Sequence, residues 1–511
     1  MGRLPGASCM RASGSRAHLG GEGISQMTGR DGGDMKGTVS RRDFLKVSIA
    51  ALGVSFLAAC KPAVQPTATP AEVSTEPEPE EVDLEAISLE GKTGTLWGLQ
   101  YDPHVIAYKH MADLFREKTG ATMSVEPQEW PLETKVIAAL AAGTQPDVAC
   151  IMGKMCVPLY IQGALLPCND QVYAFNGADP PEEYFFEDGI QAYTWEGELY
   201  GVPVEAGGLG NVVSVPVEEV EALGLADKYP PMDGRIWWDS YEEMWELAEA
   251  LKIEDEAGRV ERWGLSSKGW DASSYIGILR SLLDEQGTDW WDLDNEKFNV
   301  DTEEGVKAME LFAETPVKMG IETELDQSHV DAALAGKVAL ARGNGTPALS
   351  ISEELGYHFE LAGAPKVVGN KPPLSCSEAG WGFVAPVGSK NRDVAYEWLR
   401  FVCSLEGQTA YATAYGGVLG VAWRGLVGVT DHWTIPEDSA QRKAAPMYQG
   451  ELCPLSRYYG EALGYYGEVD SIFGEVCSLV RLGDLTAAEA CTEAQSRLEA
   501  QRKQWLEDIE G

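Results

Sequence analysis

Between Gly94 and Pro167 the chain alternates short apolar runs with amphipathic helical runs, and this rhythm narrows the fold more than any other feature. Gly94-Thr95-Leu96-Trp97-Gly98-Leu99 reads as a strand. Val105, Tyr108, Met111, Ala112, Leu114 and Phe115 then recur at helical spacing until Gly120 stops the run. Ala121 to Glu126 reads as a second strand. Pro131 opens a second helix carrying Val136, Ile137 and Leu140, with Gly143 as its end. Pro146 to Ile151 is a third strand, and Pro146 and Asp147 themselves read as structural, closing a turn and starting that strand. Strand–helix units of this length predict a layered α/β domain with a largely parallel sheet.

Later helices are longer. Ser240-Tyr241-Glu242-Glu243 has capping-box spacing and starts a helix with Tyr241, Met244, Trp245, Ala248 and Leu251 on one side. Further helical runs fall at 272–286, after Thr302, at 393–402 and 405–414. A charged helix at 486–509 has Leu498 and Trp505 among its few apolar anchors. Trp245 and Trp398 read as core residues. A chain of 511 residues exceeds what a single core needs, so two or three domains are expected.

The charge balance excludes some partners. With 40 basic and 80 acidic residues, the chain is repelled by nucleic acid and by anionic headgroups. Attachment to a membrane must come from elsewhere, and the N-terminal region supplies it. Ser40-Arg41-Arg42-Asp43-Phe44-Leu45-Lys46 has the form of a twin-arginine export signal, with Arg41 and Arg42 as its pair. The apolar run from Val47 to Ala59 is shorter than the roughly 20 residues of a spanning helix. It ends in Leu57-Ala58-Ala59-Cys60, a lipobox-like site at which Cys60 receives lipid. Residues 1–60 are thus expected to be a signal peptide, in which 1–34 are either a long n-region or the product of a start codon placed too early. Residues 61–90, with five prolines among Thr, Ser and Glu, form an extended tether.

Ten cysteines are present. Setting Cys9 and Cys60 aside, Cys150, Cys156, Cys168, Cys376, Cys403, Cys453, Cys477 and Cys491 either form disulfides or serve as small buried hydrophobes. The local candidates for pairing are Cys150 or Cys156 with Cys168, and Cys477 with Cys491. No CxxC, HExxH, GxSxG, Walker A or dinucleotide-type glycine motif occurs. Asp292-Leu293-Asp294-Asn295 lacks the glycine and terminal glutamate of a calcium loop. The scattered histidines suggest no metal site. The expectation is a chain that is not an enzyme and holds neither cofactor nor metal.

Six segments, in order, resemble the extracellular solute-binding proteins of ATP-driven importers, the carbohydrate-type family that includes maltose-binding proteins. They are Leu114 to Gly120, Lys135 to Val148 with its "AAGTQPDV" end, and Gly163-Ala164-Leu165-Leu166-Pro167. Gly197-Glu198-Leu199-Tyr200-Gly201-Val202-Pro203, Ala332 to Ala339 and Ser389 to Leu399 complete the series, although Leu340 replaces a customary methionine. The resemblance implies a periplasmic-binding-protein-like type II fold, with two α/β lobes of discontinuous segments joined by a hinge of two or three crossings. By position, lobe 1 is expected at 91–204 and 342–380, and lobe 2 at 205–341 and 381–511.

The resemblance also implies a function: a monomeric, membrane-tethered receptor that binds a sugar or similar polyhydroxylated solute between its lobes. The loaded receptor is then expected to deliver the solute to the transmembrane subunits of an ABC permease. A surface lectin or adhesion lipoprotein is the alternative. A sugar is gripped by aromatic rings against its C–H faces and by carboxylates and amides around its hydroxyl rim. Residues of those types at strand ends and crossovers are Trp97, Tyr101, Glu129, Trp130, Met152, Lys154, Glu205, Trp270, Asp271, Asn344, Glu378, Trp381, Tyr415 and Trp423.

Overall fold

The structure, a computed structural model, describes residues 89–207, 212–229, 238–293, 295–343, 359–377, 379–415, 420–429, 433, 440–460 and 466–510. Arg41, Arg42, Cys60, nearly all of the 61–90 tether, Asn344 and Glu378 lie outside the described residues.

The opening rhythm folds as the pattern predicts. Strand β1 (Thr93–Leu99), helix α1 (Asp102–Thr119), β2 (Thr122–Gln128), α2 (Leu132–Ala142) and β3 (Val148–Met152) follow in turn. Helix α1 has Pro103 in its first turn and stops at Gly120, whose φ of 78° suits a residue without Cβ. Its buried stripe is His104, Ala107, Tyr108, Met111 and Phe115, so a histidine heads an otherwise apolar or aromatic face. The short helix α3 (Glu187–Ala192) and strand β4 (Val202–Pro203) complete this first pass.

The chain then builds a second sheet. It contains β5 (Val212–Pro216), α4 (Tyr241–Leu251), β6 (Ile253–Glu254), β7 (Val260–Ser266), α5 (Asp271–Leu283), β8 (Val338–Gly343) and β9 (Phe359–Gly363). The strand order is β9-β5-β8-β7-β6. The Ser240 hydroxyl caps α4 by accepting the Glu243 amide at 3.2 Å, as the capping spacing foretold.

After β10 (Ser375–Ser377), the chain returns to the first sheet. Strand β11 (Trp381–Val384) runs antiparallel between β3 and β4, giving the order β2-β1-β3-β11-β4. Helices α6 (Arg392–Val402) and α7 (Leu405–Ala414) close the first core, where Trp398 is fully buried against Phe115 and Phe383. Strand β12 (Ser456–Tyr458) leads back out, and α8 (Tyr466–Leu482) and α9 (Ala487–Glu510) pack Phe473 and Leu498 into the second core.

The strand pairing corrects the expected lobe boundaries. Within 342–380, Phe359–Gly363 does not rejoin lobe 1: β9 pairs antiparallel with β5 and extends the second sheet at its edge. Nor does 381–511 lie wholly in lobe 2, because β11, α6 and α7 complete the first sheet and core, and only the stretch beyond β12 is in the second. Among the described residues the chain passes between the lobes at 204–207, 364–377 and 456–460. Two of them pair as a small parallel ribbon, with Ser375 opposite Ser456 and Ser377 opposite Tyr458. All eight cysteines of the body are buried thiols outside any disulfide, so neither local disulfide forms.

Candidate ligand-binding site

In open α/β sheets the crevice outside the carboxyl ends of the strands, where strand order reverses, is where ligands bind. In the first sheet that reversal lies between β1 and β3, because the chain leaves β1 for β2 on one side and reaches β3 on the other. Tyr101 and His104 follow β1, Met152 ends β3, and Trp381 starts β11 directly opposite Met152. Glu205 follows β4, and its amide donates to the Trp381 carbonyl at 3.1 Å. Four passes of chain therefore converge on one edge.

His104 is the centre of the cluster and is 2% exposed. Its ring lies 4.8 Å from Trp381, 5.3 Å from Tyr415, 5.5 Å from Tyr101 and 5.8 Å from Tyr108, centroid to centroid. Its Nε2 is 3.5 Å from Glu205 Oε1, the oxygen that also accepts the Tyr411 hydroxyl at 2.6 Å. Burial and the Glu205 charge push the phenols of Tyr411 and Tyr415 above the usual range, so both stay neutral donors. His104 Nδ1 is buried without a hydrogen-bond partner among the described residues. An orphan of this kind costs about 1–3 kcal/mol until a partner arrives. The second Glu205 oxygen makes no hydrogen bond among the described residues. The pocket thus offers aromatic faces, an open carboxylate oxygen and an unmet imidazole nitrogen.

Of the sequence-derived candidates, Tyr101, Glu205, Trp381 and Tyr415 meet here, and Met152 lies beside Trp381. Glu129 and Trp130 are exposed just past the end of β2, on the same sheet edge. Lys154 is half-buried in the turn after β3. Trp97 lies within β1, where its indole N–H donates to Glu126 on β2 at 2.8 Å and braces the two strands. Trp423 packs against Phe185 and Tyr184 at 4.8 and 5.4 Å, away from the His104 cluster.

The second lobe presents Trp270 at the matching edge. Trp270 and His329 enclose Gly343 at the end of β8 so tightly that a Cβ there would lie 2.8 and 2.5 Å from them. Asp271, by contrast, is committed to structure: it is 6% exposed and paired with the buried Arg481. Gly343 ends β8 opposite Val212, only seven residues from Glu205, so the two edges stand within about 24 Å of each other. His104 and Tyr411 escaped the sequence reading. A histidine at the head of the stripe His104-Ala107-Tyr108-Met111-Phe115 was the available signal.

Among the described residues no group of three or more His, Cys, Asp or Glu side chains is arranged to hold a metal, and no helix is long and apolar enough to cross a membrane. The architecture matches solved structures. The sugar-binding protein MalE of Xanthomonas citri aligns with a TM-score of 0.62 at 16% identity, covering 82% of this chain and 100% of that one. A cyclo/maltodextrin-binding protein complexed with maltotetraose aligns at 0.61 and 17% identity, covering 81% and 98%. At such identities the likeness establishes the fold, the type II arrangement of two α/β lobes about a hinge. An arabinooligosaccharide-binding protein of Halalkalibacterium halodurans is 25% identical over 186 residues, spanning 35% of this chain and 35% of that protein. Residues 110–421 match the model of the bacterial extracellular solute-binding proteins, and with well over half of its length inside that match the chain belongs to this family of binding proteins.

Proposed function

We propose that this chain is the extracytoplasmic receptor of an ABC importer and that its solute is a carbohydrate or similar polyhydroxylated molecule, held between the lobes and released unchanged. One observation carries the reading: the rings of Tyr101, Trp381, Tyr411 and Tyr415 converge on a carboxylate, Glu205, and on an unpartnered imidazole nitrogen of His104. Aromatic faces suit the C–H faces of a pyranose or furanose, while the carboxylate and imidazole suit its hydroxyls. Among the described residues this sheet edge shows no cluster of cations of the kind a phosphorylated sugar would need. The names of the similar proteins point to arabino- and malto-oligosaccharides as the first solutes to try.

Export through the Arg41-Arg42 signal, lipid on Cys60 and the 61–90 tether complete the proposal. They hold a monomeric receptor beside the transmembrane subunits of its permease. More than one acyl chain is needed for stable attachment, and a lipoprotein-type cysteine supplies it.

A thermal-shift screen of the purified protein against arabinotriose, maltotetraose and common monosaccharides tests the reading. A solute at a hundred times its Kd adds about 2.7 kcal/mol of apparent stability. Trp381→Ala is expected to weaken the best solute at least tenfold, about 1.4 kcal/mol, while Trp423→Ala leaves affinity within threefold. A screen with no stabilising saccharide, or a Trp381→Ala protein that binds like the parent, would end the proposal.

A further inference from the structure

We propose that Tyr458 is the fulcrum between the lobes, and that Gln191 of lobe 1 and Arg280 of lobe 2 are the positioning residues that grip it from either side. The inference rests on the receptor reading, because a fulcrum matters only to a protein that works by closing. Tyr458 ends β12, on the third passage between the lobes. Its amide donates to Gln191 Oε1 at 3.1 Å, and its carbonyl accepts Arg280 Nη1 at 3.0 Å. Gln191 lies on α3, whose Ile190 and Ala192 belong to the first core. Arg280 lies on α5, whose Ile276 and Leu279 belong to the second.

The two grips meet on one residue for a geometrical reason. In a strand the amide and carbonyl of a single residue point the same way, so a side chain from each lobe can reach the same edge of β12. The side chains of the passage part at this point too. Tyr458 packs in the first core, and Tyr459, next to it, packs in the second. Gly460 follows so close to the Tyr458 ring that a Cβ there would collide with it.

Each grip is itself held in place. Arg280 is buried, and its Nε donates to Asp289 Oδ1 at 2.8 Å. That bond aims Nη1 at the Tyr458 carbonyl and at Cys376 Sγ, 3.5 Å away on the paired strand β10. A planar guanidinium serves a carboxylate and a carbonyl at once, which a lysine ammonium does not do in fixed directions. The neighbouring Ser281 hydroxyl accepts the Leu374 amide at 2.8 Å, so α5 holds the second passage as well. On the lobe 1 side Gln191 Nε2 donates to Glu187 at 3.0 Å, and Glu187 pairs with Arg457 at 3.2 Å. The β10–β12 ribbon thus hangs between α3 and α5, and both helices bond Tyr458 directly. A hinge absorbs its torsion change over a few residues. When the lobes turn, two bonds to one peptide from opposite bodies keep their geometry only if the rotation is centred there.

The test compares the purified parent with Gln191→Ala, Gln191→Glu and Arg280→Lys by small-angle scattering without solute. Each is also titrated by calorimetry with maltotetraose or arabinotriose, whichever the parent holds more tightly. Gln191 is exposed, so its substitution removes one grip without opening a core. Gln191→Ala and Arg280→Lys are each expected to alter the ligand-free profile and to change the affinity at least fivefold, with the saccharide-bound profiles superimposing on the parent's. Gln191→Glu still offers an acceptor to the Tyr458 amide, so its profile should match the parent's and its affinity stay within twofold, a rescue that a general loss of packing does not predict. Parent-like profiles with affinities within twofold in both Gln191→Ala and Arg280→Lys, or a change confined to one of them, would overturn the inference. If Arg280→Lys does not fold, the contrast between Gln191→Ala and Gln191→Glu decides by the same readouts. If no saccharide binds the parent, the receptor reading fails, and the ligand-free profiles still decide the fulcrum.

Discussion

Asp147→Asn should cost lobe 1 about 4 kcal/mol, because one carboxylate there ties two strands to the start of α6. Asp147 is 5% exposed. Its Oδ1 accepts Ser389 Oγ at 2.8 Å and the amides of Asn391 and Lys390 at 3.0 and 3.1 Å. Its Oδ2 accepts the Thr95 amide at 2.9 Å, Asn391 Nδ2 at 3.1 Å and Thr95 Oγ1 at 3.2 Å. Asparagine turns one oxygen into a donor. The less costly placement faces the Oδ2 side, where hydroxyl and amide groups can turn away but the Thr95 amide cannot. One orphaned amide costs about 1–3 kcal/mol, and loss of charge from the remaining bonds removes a similar amount. For a lobe of roughly 200 residues, with an unfolding entropy of about 0.4 kcal/mol/K, the melting temperature falls by about 10 °C, or about half that if both lobes melt together.

The same variant has a pH signature. Burial raises the Asp147 carboxyl, but the Ser389, Asn391 and Thr95 hydrogen bonds outweigh it and hold the group below its ordinary value of 3.8. A carboxylate bound more weakly by protons when folded contributes fully above its unfolded pKa and loses that contribution as pH falls through the folded value. Differential scanning calorimetry of parent and variant should therefore show a constant gap from pH 7 to about pH 5 that narrows below about pH 4. A loss under about 1 kcal/mol, or a gap unchanged between pH 7 and 3, would refute the account of Asp147 as the tie.

Arg481→Met should destabilise lobe 2 by about 3–5 kcal/mol, because Asp271 and Glu322, at 6% and 1% exposure, lose the guanidinium that neutralises them. Urea unfolding measures it, and a loss below about 1 kcal/mol would show the cluster to be self-sufficient. Cys60→Ser should release the exported protein from the membrane into the medium, seen by immunoblot of cell fractions. A fully membrane-bound variant would contradict lipid attachment at Cys60.

Much of the fold was legible because its signals are local. The three opening strands, expected at 94–99, 121–126 and 146–151, form at 93–99, 122–128 and 148–152, since each short apolar run is bounded by a helix with a clear stop. Ser240 caps where its spacing said it would, and Trp245 and Trp398 are buried at 5% and 0%. The lobe boundary was not legible. Phe359–Gly363 and Trp381–Val384 are both short, fully buried strands, and nothing in either run states which sheet it will join. That choice is made by partners far away in sequence, Val212–Pro216 for one and Val148–Met152 for the other. The site divides the same way. Residue type and strand-end position found Tyr101, Glu205, Trp381 and Tyr415, whereas Tyr411 meets Glu205 across 206 positions and left no local trace.

The two lobes contribute unequally to the candidate site, and this shapes how closure must work. Lobe 1 brings Tyr101, His104, Glu205, Trp381, Tyr411 and Tyr415 together without help, whereas lobe 2 offers Trp270 at its edge and spends Asp271 on Arg481. A solute held by lobe 1 alone gains nothing from closing, because contacts present in both states cannot shift the balance between them. Moving a population from about 1% closed to about 99% closed takes roughly 5.5 kcal/mol of interaction made only in the closed state. One ring on lobe 2 contributes about 0.5–1.5 kcal/mol beyond the area it buries, so the remainder must come from burying the solute's outer face and from the passages themselves.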